Sequence, residues 1–531
     1  VVCEVALPAE LRRLAEATGS AWTLVEKILS VDEPLPPDWP TAGTTGYESL
    51  AMLNSLLVDP AAEQIMSEIY VESTGADADF DAVALQSKRV VCEVALPAEL
   101  RRLARLLVVR AESGSSDGDA KTKLAALVEV LCRLDVYRPF ATSPRTVEAL
   151  DRACAEAATG DLRLGRYVEA IRAHALDDSE FATRFAQTAA VVYAKGVEDT
   201  AFYRHARLLS LNEVGGNPAR FGADADAFHA FAANLQATHP AAMTTLATHD
   251  TKRGEDVRAR IAVLSELPDQ WHEAIRRWLP IGEKLGCPDA RAGYFFWQTL
   301  VGAWPLDAER ACRYMEKASR EAKLSTSWLS PDPVYDDALR TFVERVFDDD
   351  GLMADVGMFV AAIEPFAAAN SLAQKLVQLT MPGVPDTYQG AELATFFLVD
   401  PDNRGPVDYR VRREALQSLL DDKLRVTATA LRLRRDHPDW FTHYRPVLAR
   451  GAAALHVVAF SRSDSLVTVA TRLSAKLRRD GGWRDTTIAL PEGIWVDALS
   501  GREHAGTDVA LGDLLPGTPV ALLVPGVSLS T

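Results

Sequence analysis

The chain has 531 residues, 48% apolar and 25% charged, the composition of a soluble globular protein too long for one core; at about 100 to 200 residues per domain it predicts three or four units. A formal net charge of -17 with no opposing lysine or arginine block excludes a phosphate backbone as partner, so nucleic acid is not expected. No run approaches the ~18 consecutive apolar residues of a membrane span, so no membrane partner is expected either.

The six cysteines (Cys3, Cys92, Cys132, Cys154, Cys287, Cys312) are scattered, without zinc-site pairing or a disulfide framework. Together with an N-terminal stretch unlike a secretory leader, they point to a reducing cytoplasm.

Val1 to Ala15, VVCEVALPAELRRLA, recurs unchanged at Val90 to Ala104. Structural repeats diverge, so two identical copies with unrelated flanks read as a cloning, assembly or gene-model artefact, and the first copy carries no weight for the fold. Ala21 to Val25 (AWTLV) is a short strand-forming run ending at Glu26, ahead of the proline-rich loop VDEPLPPDWP. Apolar spacing of three and four then predicts a helical block from Thr45 to about Arg184. Ala189 to Tyr193 (AAVVY) reads as a strand, followed by a long irregular polar stretch, AKGVEDTAFYRHARLLSLNEVGGNPARFG. Thr244 to Ala247 (TTLA) is another strand, ending at Thr248-His249-Asp250, and Arg253 to about Ala369 is helical again. Leu372 to Tyr388 predicts a helix running into a last buried strand, and Leu416 to His437 one final helix. After Trp440 short apolar runs alternate with Gly, Pro and Asp turns, the pattern of an antiparallel β-sandwich.

Polar residues at strand ends, interleaved with helices, are what a (β/α)8 barrel presents on its catalytic face. Glu26 and Asp250 stand much farther apart than the ~60 residues that two strands separated by one other would span, so helices must be inserted. The fold class expected is α/β: a partial (β/α)8 TIM barrel with large helical insertions and a C-terminal antiparallel β-sandwich. Its parts are 1–44 (barrel, with 1–15 the duplicate), 45–185 (helical insertion), 186–252 (barrel), 253–369 (helical insertion), 370–440 (last barrel strand and helix) and 441–531 (sandwich).

The stretches WTLVEKIL (22–29), PLPPDWPTAGTTGYE (34–48), AKGVEDTAFYRH (194–205), LNEVGGNP (211–218), TLATHDTKRGEDVRARI (245–261), PGVPDTYQGAE (382–392) and DPDNRGPVDYRVRR (400–413) resemble, in order and content, the maltooligosyl trehalose synthase family of the alpha-amylase superfamily. The resemblance implies an amylase-type barrel and conversion of the reducing-end α-1,4 linkage of a maltodextrin to an α,α-1,1 linkage, without an organic cofactor or metal. It assigns Glu26 as general acid/base, and His249 and Asp250 as the pair that hydrogen-bonds the sugar next to the scissile bond, with Asp250 also stabilising the transition state. Lys252 and Arg253 fall in the same motif and are expected to line the reducing-end subsites. A trehalohydrolase is a conceivable pathway partner.

Retaining glycosyl transfer needs two carboxyl groups ~5 to 5.5 Å apart, one protonating the leaving oxygen and one forming a glycosyl-enzyme. Burial at the strand end is expected to raise the pKa of Glu26 toward the working pH. The family's nucleophile sits in an Arg-x-Asp-His motif on the fourth strand, expected ahead of Leu11. Arg133-Leu134-Asp135 imitates it inside the helical block and is rejected as a decoy. Taken literally, the chain is expected to be inactive alone.

Blander readings compete at each position. Lys195, Glu198, Asp199 and Arg204 are candidates for positioning substrate, or form surface ion pairs and caps. Tyr388 and Gln389, with Asp386 and Glu392, border the pocket or form a plain loop. Asp400, Asp402, Asn403 and Arg404 are oxygen-rich but lack a calcium ladder, which favours a hydrogen-bonded loop. The tryptophans at 271, 278, 297, 304 and 328 are expected to be mostly core, with one or two touching sugar. Two rivals remain: an amylase-type hydrolase (amylase or trehalohydrolase), and a non-catalytic glucan-binding homologue.

Overall fold

The computed structural model describes residues 7–19, 21–30, 32–109, 118–140 and 143–526; it is mostly helical, with small sheets. Cys3 and the first six residues of the duplicated segment lie outside the described residues. The chain divides into two units, one of Val1–Thr44, Asp77–His205 and Ala318–Pro331, the other of Thr45–Ala76, Ala206–Lys317 and Asp332–Thr531. The helical block expected over 45–185 is therefore shared between them.

In the first unit, β1 (Leu24–Val25) pairs in parallel with β2 (Gly43–Thr44), Leu24 opposite Gly43 and Val25 opposite Thr44. The turn beyond β1 is closed by a buried Lys27–Glu33 ion pair at 2.5 Å, and Glu33 also accepts the Ser30 amide at 2.9 Å. Leu29, Leu35 and Trp39 fill the space beneath it with Leu11. Helices Phe80–Val94, Pro97–Leu106, Gly118–Arg133, Pro144–Gly160, Gly165–His174 and Glu180–Tyr193 bury a second core around Leu103, Leu127, Val130, Leu150, Ile171 and Phe185.

AAVVY is helix, not the strand expected. Ser179 caps the helix Glu180–Tyr193 by accepting from Ala182 N, and Phe181, Phe185, Ala189 and Val192 form a buried stripe at helical spacing. That stripe outweighs the strand preference of a two-valine run. The two duplicate copies both form a helix, Leu7–Thr18 and Pro97–Leu106, yet Leu103 is 1% exposed and its twin Leu14 is 45% exposed. Local sequence sets the helix; the first copy buries Leu11 but leaves Leu14 open, whereas the second copy buries both Leu100 and Leu103 in a larger core.

In the second unit, β3 (Met243–Thr244) pairs in parallel with β4 (Val384–Pro385). Gly46, at φ 91°, lies against Met243, where a Cβ would stand 2.6 Å from the carbonyl oxygen, so the close approach requires glycine. The helix Asp350–Thr380 is long and apolar enough to cross a membrane by length and composition. Its C-terminal half is nevertheless a core helix: Ala373, Leu376, Val377 and Leu379 enter an apolar cluster, and Lys375 ion-pairs with Glu255 at 2.7 Å.

The single helix expected over 416–437 is two, Tyr409–Ser418 and Asp422–Asp436. Leu419 turns left-handed at φ 50°, and Asp421 caps the second helix by accepting from Leu424 N at 2.8 Å. The C-terminal region holds β5 (Arg445–Pro446), β6 (Ala449–Arg450), β7 (Val457–Arg462), β8 (Leu466–Thr471), β9 (Thr487–Ala489), β10 (Ile494–Asp497), β11 (Glu503–Ala505), β12 (Asp508–Ala510) and β13 (Val520–Pro525). They form an antiparallel six-stranded sheet in the order β11-β10-β13-β8-β7-β5 and a three-stranded sheet, β12-β9-β6. β7 and β8 are buried on both faces. Val458, Phe460 and Ala470 meet the helices, while Val457, Ala459 and Val469 share a core with Ile488 of β9 and Val509 of β12.

Candidate active site

Both proposed reacting groups follow a parallel strand. Glu26 comes directly after Val25, the last residue of β1, in the first unit. Its side chain is exposed there, not buried as expected, because the segment turns its neighbour Lys27 inward to Glu33 and leaves Glu26 on the outer side. His249 and Asp250 belong to the second unit, in the loop after β3. Both side chains are more than half exposed, with Nε2 and Oδ2 3.9 Å apart.

The backbone beneath this exposed pair is held by buried polar groups. Asn403 donates Nδ2 to the His249 carbonyl at 2.9 Å, and its own carbonyl accepts from the Tyr388 hydroxyl at 3.1 Å. Tyr47 Oη and Thr248 Oγ1 are 3.0 Å apart, and Thr251 Oγ1 donates to the Thr248 carbonyl at 2.9 Å. On the far side, Glu213 accepts the amides of Lys252 and Arg253 at 2.7 and 3.2 Å. Lys252 and Arg253 are themselves buried, and Arg253 Nη2 donates to the Tyr314 hydroxyl at 3.0 Å with its guanidinium over the Phe295 ring. Tyr388 thus joins the His249 loop through Asn403, whereas Gln389 is exposed.

The other candidates gather in the first unit, on the π-helix Ala194–Ala201 and the turn of helix Phe202–Arg204. The first part of the stretch expected to be irregular, 194–204, is therefore helical and wound wide at its start, while 205–222 carries only the short turn Leu209–Leu211 and is otherwise irregular as expected. Gly196 lies against Lys88, where a Cβ would fall 2.8 Å from the Lys88 Cα. Lys88 is buried, donates to the Leu134 carbonyl at 2.7 Å, and burial lowers its pKa to about 8. Lys195 and Asp199 form an i,i+4 ion pair at 2.5 Å with Lys195 mostly exposed. Glu198 accepts the Tyr137 hydroxyl. Arg204 is buried and donates to the Ala322 carbonyl at 2.6 Å, while Lys323 Nζ reaches the Asp199 carbonyl at 3.0 Å. The motif thereby secures the segment 318–331, which displays Trp328.

Trp271, Trp278 and Trp297 are fully buried, but Trp328 is 51% exposed, with Arg320 over its ring and its Nε1 donating to Glu321 at 3.0 Å. Asp135 of the rejected Arg-x-Asp pattern is engaged by Arg145 at 2.7 Å and Arg152 at 2.6 Å, which hold its carboxyl below its ordinary pKa against the opposing effect of burial. Asp402 takes Arg310 at 2.9 Å and the Leu398 amide at 2.7 Å, and Asp400 pairs with Arg404. No group of three or more potential metal ligands occurs among the described residues.

Sequence reasoning passed over Glu213, Arg258 and Lys88. The signal for Glu213 was a single acid within the otherwise uncharged run LLSLNEVGG, where a buried charge demands partners.

No protein-family model matches the chain. A Mycobacterium tuberculosis (strain CDC 1551 / Oshkosh) protein named "Putative maltooligosyl trehalose synthase" is 43% identical over 525 residues, covering 97% of this chain and 67% of that protein. The chain belongs to the maltooligosyl trehalose synthase family. The structure of maltooligosyltrehalose synthase from Arthrobacter ramosus superposes with a TM-score of 0.91 at 41% identity, over 98% of this chain and 68% of the other. A hypothetical maltooligosyl trehalose synthase of Sulfolobus tokodaii gives 0.79 at 27% identity, over 97% and 67%. This chain thus spans about two thirds of the length of its family relatives.

Proposed function

We propose that these residues serve an intramolecular transglucosylase that moves the reducing-end glucose of a maltooligosaccharide from an α-1,4 to an α,α-1,1 linkage. The observation that carries the reading is that Glu26 and the His249-Asp250 pair each follow the C-terminal end of a parallel strand, where an amylase-type (β/α)8 barrel keeps its catalytic groups. The antiparallel sheets that share one core after residue 441 fit the β-sandwich that accompanies such a barrel.

In this reading Glu26 protonates the leaving oxygen as a glycosyl-enzyme forms. The freed glucose turns, and its anomeric hydroxyl attacks while Glu26, now ionised, takes its proton. His249 and Asp250 hold the ring hydroxyls and stabilise developing positive charge. Lys252 and Arg253, buried, act by supporting the loop that carries His249 and Asp250. Asp199 and Arg204 act by securing the segment that carries Trp328, whose open ring would stack on a sugar face, with Lys195 and Glu198 holding the π-helix through Asp199 and Tyr137. The substrate would come from a cytoplasmic maltodextrin pool, with a trehalohydrolase consuming the product.

Arg434-Arg435-Asp436-His437 reproduces the spacing of the family's Arg-x-Asp-His nucleophile motif, but it closes the helix Asp422–Asp436 instead of following a strand, and Asp436 pairs with Arg435 at 2.7 Å. Without a nucleophile at a strand end among the described residues, the chain alone should bind maltopentaose without turning it over. Fused to the part of the Arthrobacter ramosus protein that this chain does not match, it should convert maltopentaose to a non-reducing product. Glucose and maltose instead would favour the hydrolase, and tight binding with no turnover in the fusion would favour a glucan-binding homologue.

A further inference from the structure

We propose that Glu213 is a positioning residue that sets the height and tilt of the loop presenting His249 and Asp250, a role that rests on the glucan-site reading above. Its carboxylate is buried, with side-chain exposure of 1%, and both oxygens are doubly used. Oε1 accepts from Val214 N at 2.9 Å and Lys252 N at 2.7 Å, while Oε2 accepts from Arg253 N at 3.2 Å and Arg258 Nη1 at 3.1 Å.

Arg258, equally buried, completes the device. It donates to the carbonyls of Leu246 and Arg253, one before the exposed pair and one after it. A single buried ion pair therefore grips both ends of the segment 246–253, and the two side chains between them that face outward are His249 and Asp250. Only a carboxylate of this length fits. An amide offers one accepting oxygen to four donors, and aspartate is one methylene short of the Lys252 and Arg253 amides. Charge-assisted bonds in a site closed to water are stronger and more directional than neutral ones, which suits a part that must fix a loop otherwise open to solvent.

Hydrogen exchange and calorimetry on the 531-residue chain test this. In the parent, the amides of Lys252 and Arg253 should exchange as slowly as core helix amides although they follow an exposed pair; fast exchange there overturns the proposal without any variant. Glu213→Gln keeps one accepting oxygen, so it should release at least one of those two amides and weaken maltopentaose binding about tenfold. In an Asp250→Ala background it should weaken binding no further, since a residue that acts through the loop has nothing left to position.

Equal losses in both backgrounds would mean a general structural role and would overturn the claim, as would retained protection of both amides in a folded Glu213→Gln chain. Should Glu213→Gln not fold, Glu213→Gln with Arg258→Gln removes the stranded cation and answers the same question. If Asp250→Ala leaves maltopentaose binding unchanged, the glucan-site reading fails, while the exchange measurement still decides whether Glu213 holds the loop.

Discussion

Glu266 gives the chain a stability that should fall as the pH rises. Its carboxylate is buried behind the amides of Ala475 and Lys476, which donate to Oε2 at 2.8 and 3.0 Å, and burial outweighs those bonds to push its pKa up to about 7 from an ordinary 4.5. Because the folded chain holds this proton more tightly than the unfolded one, the favourable contribution is complete below pH 4.5 and is lost as the pH climbs through 7. At 1.36 kcal/mol per pH unit the loss is about 3 kcal/mol.

Glu266→Gln keeps one oxygen for the two amides and removes the charge. Parent and variant should therefore differ by less than about 1 kcal/mol near pH 4.5, and the variant should be the more stable by about 2 to 3 kcal/mol at pH 8. Urea unfolding of both chains at the two pH values measures this, and every other titrating group cancels in the difference. A gap independent of pH would refute the reasoning, because it would mean that the side chain acts by shape alone.

Three further outcomes are expected. Lys423 Nζ lies 2.6 Å from Asp256 and 2.8 Å from Glu255 in a buried cluster, so Lys423→Ala strands carboxylates with Lys375 alone and should cost about 3 to 5 kcal/mol in urea unfolding. Leu103→Ala should cost about 2 to 5 kcal/mol and Leu14→Ala less than about 0.5, although the two leucines sit in identical sequence, because only the first opens a cavity. Trp328→Ala should leave the unfolding midpoint unchanged and weaken maltopentaose binding by about 1 kcal/mol, roughly fivefold; unchanged binding would remove Trp328 from the sugar site.

The parts of the fold legible from sequence were those that carry their own signal within a few residues. β7, β8 and β13 read as strands because both faces are covered, and Glu26 could be placed at a strand end because a short apolar run precedes it; the strand expected over 244–247 is instead Met243–Thr244, so Asp250 lies in the loop six residues beyond it. AAVVY was misread because its meaning lies eight residues upstream, in the Phe181 and Phe185 that make it the last turn of a buried stripe. The break at Leu419 left no glycine or proline as a marker: a leucine took the left-handed position. The exposure of Glu26 was missed for a similar reason, since the buried charge of that segment is its neighbour Lys27, matched by an acid six residues on.

The site shows the same division of labour. The motif THDTKRGED contains the two residues that face outward, His249 and Asp250, together with buried Lys252, Arg253, Glu255 and Asp256, but the geometry of the exposed pair is set from elsewhere in the chain. Glu213 arrives from a loop some forty residues earlier, Asn403 from one about 150 residues later, and Tyr47 from a helix some 200 residues before. Glu213 and Asn403 replace water around backbone groups of the loop, and Tyr47 does so around the Thr248 hydroxyl, which itself accepts the Asp250 amide, so the exposed pair is fixed by hydrogen bonds and not by packing of its own side chains. If that is the principle of the site, substitutions at these three supporting positions should change affinity for maltopentaose without touching the sugar. Their effects should vanish together once Asp250 is removed, and calorimetric cycles at Asn403 and Tyr47 that proved additive with Asp250→Ala would count against it.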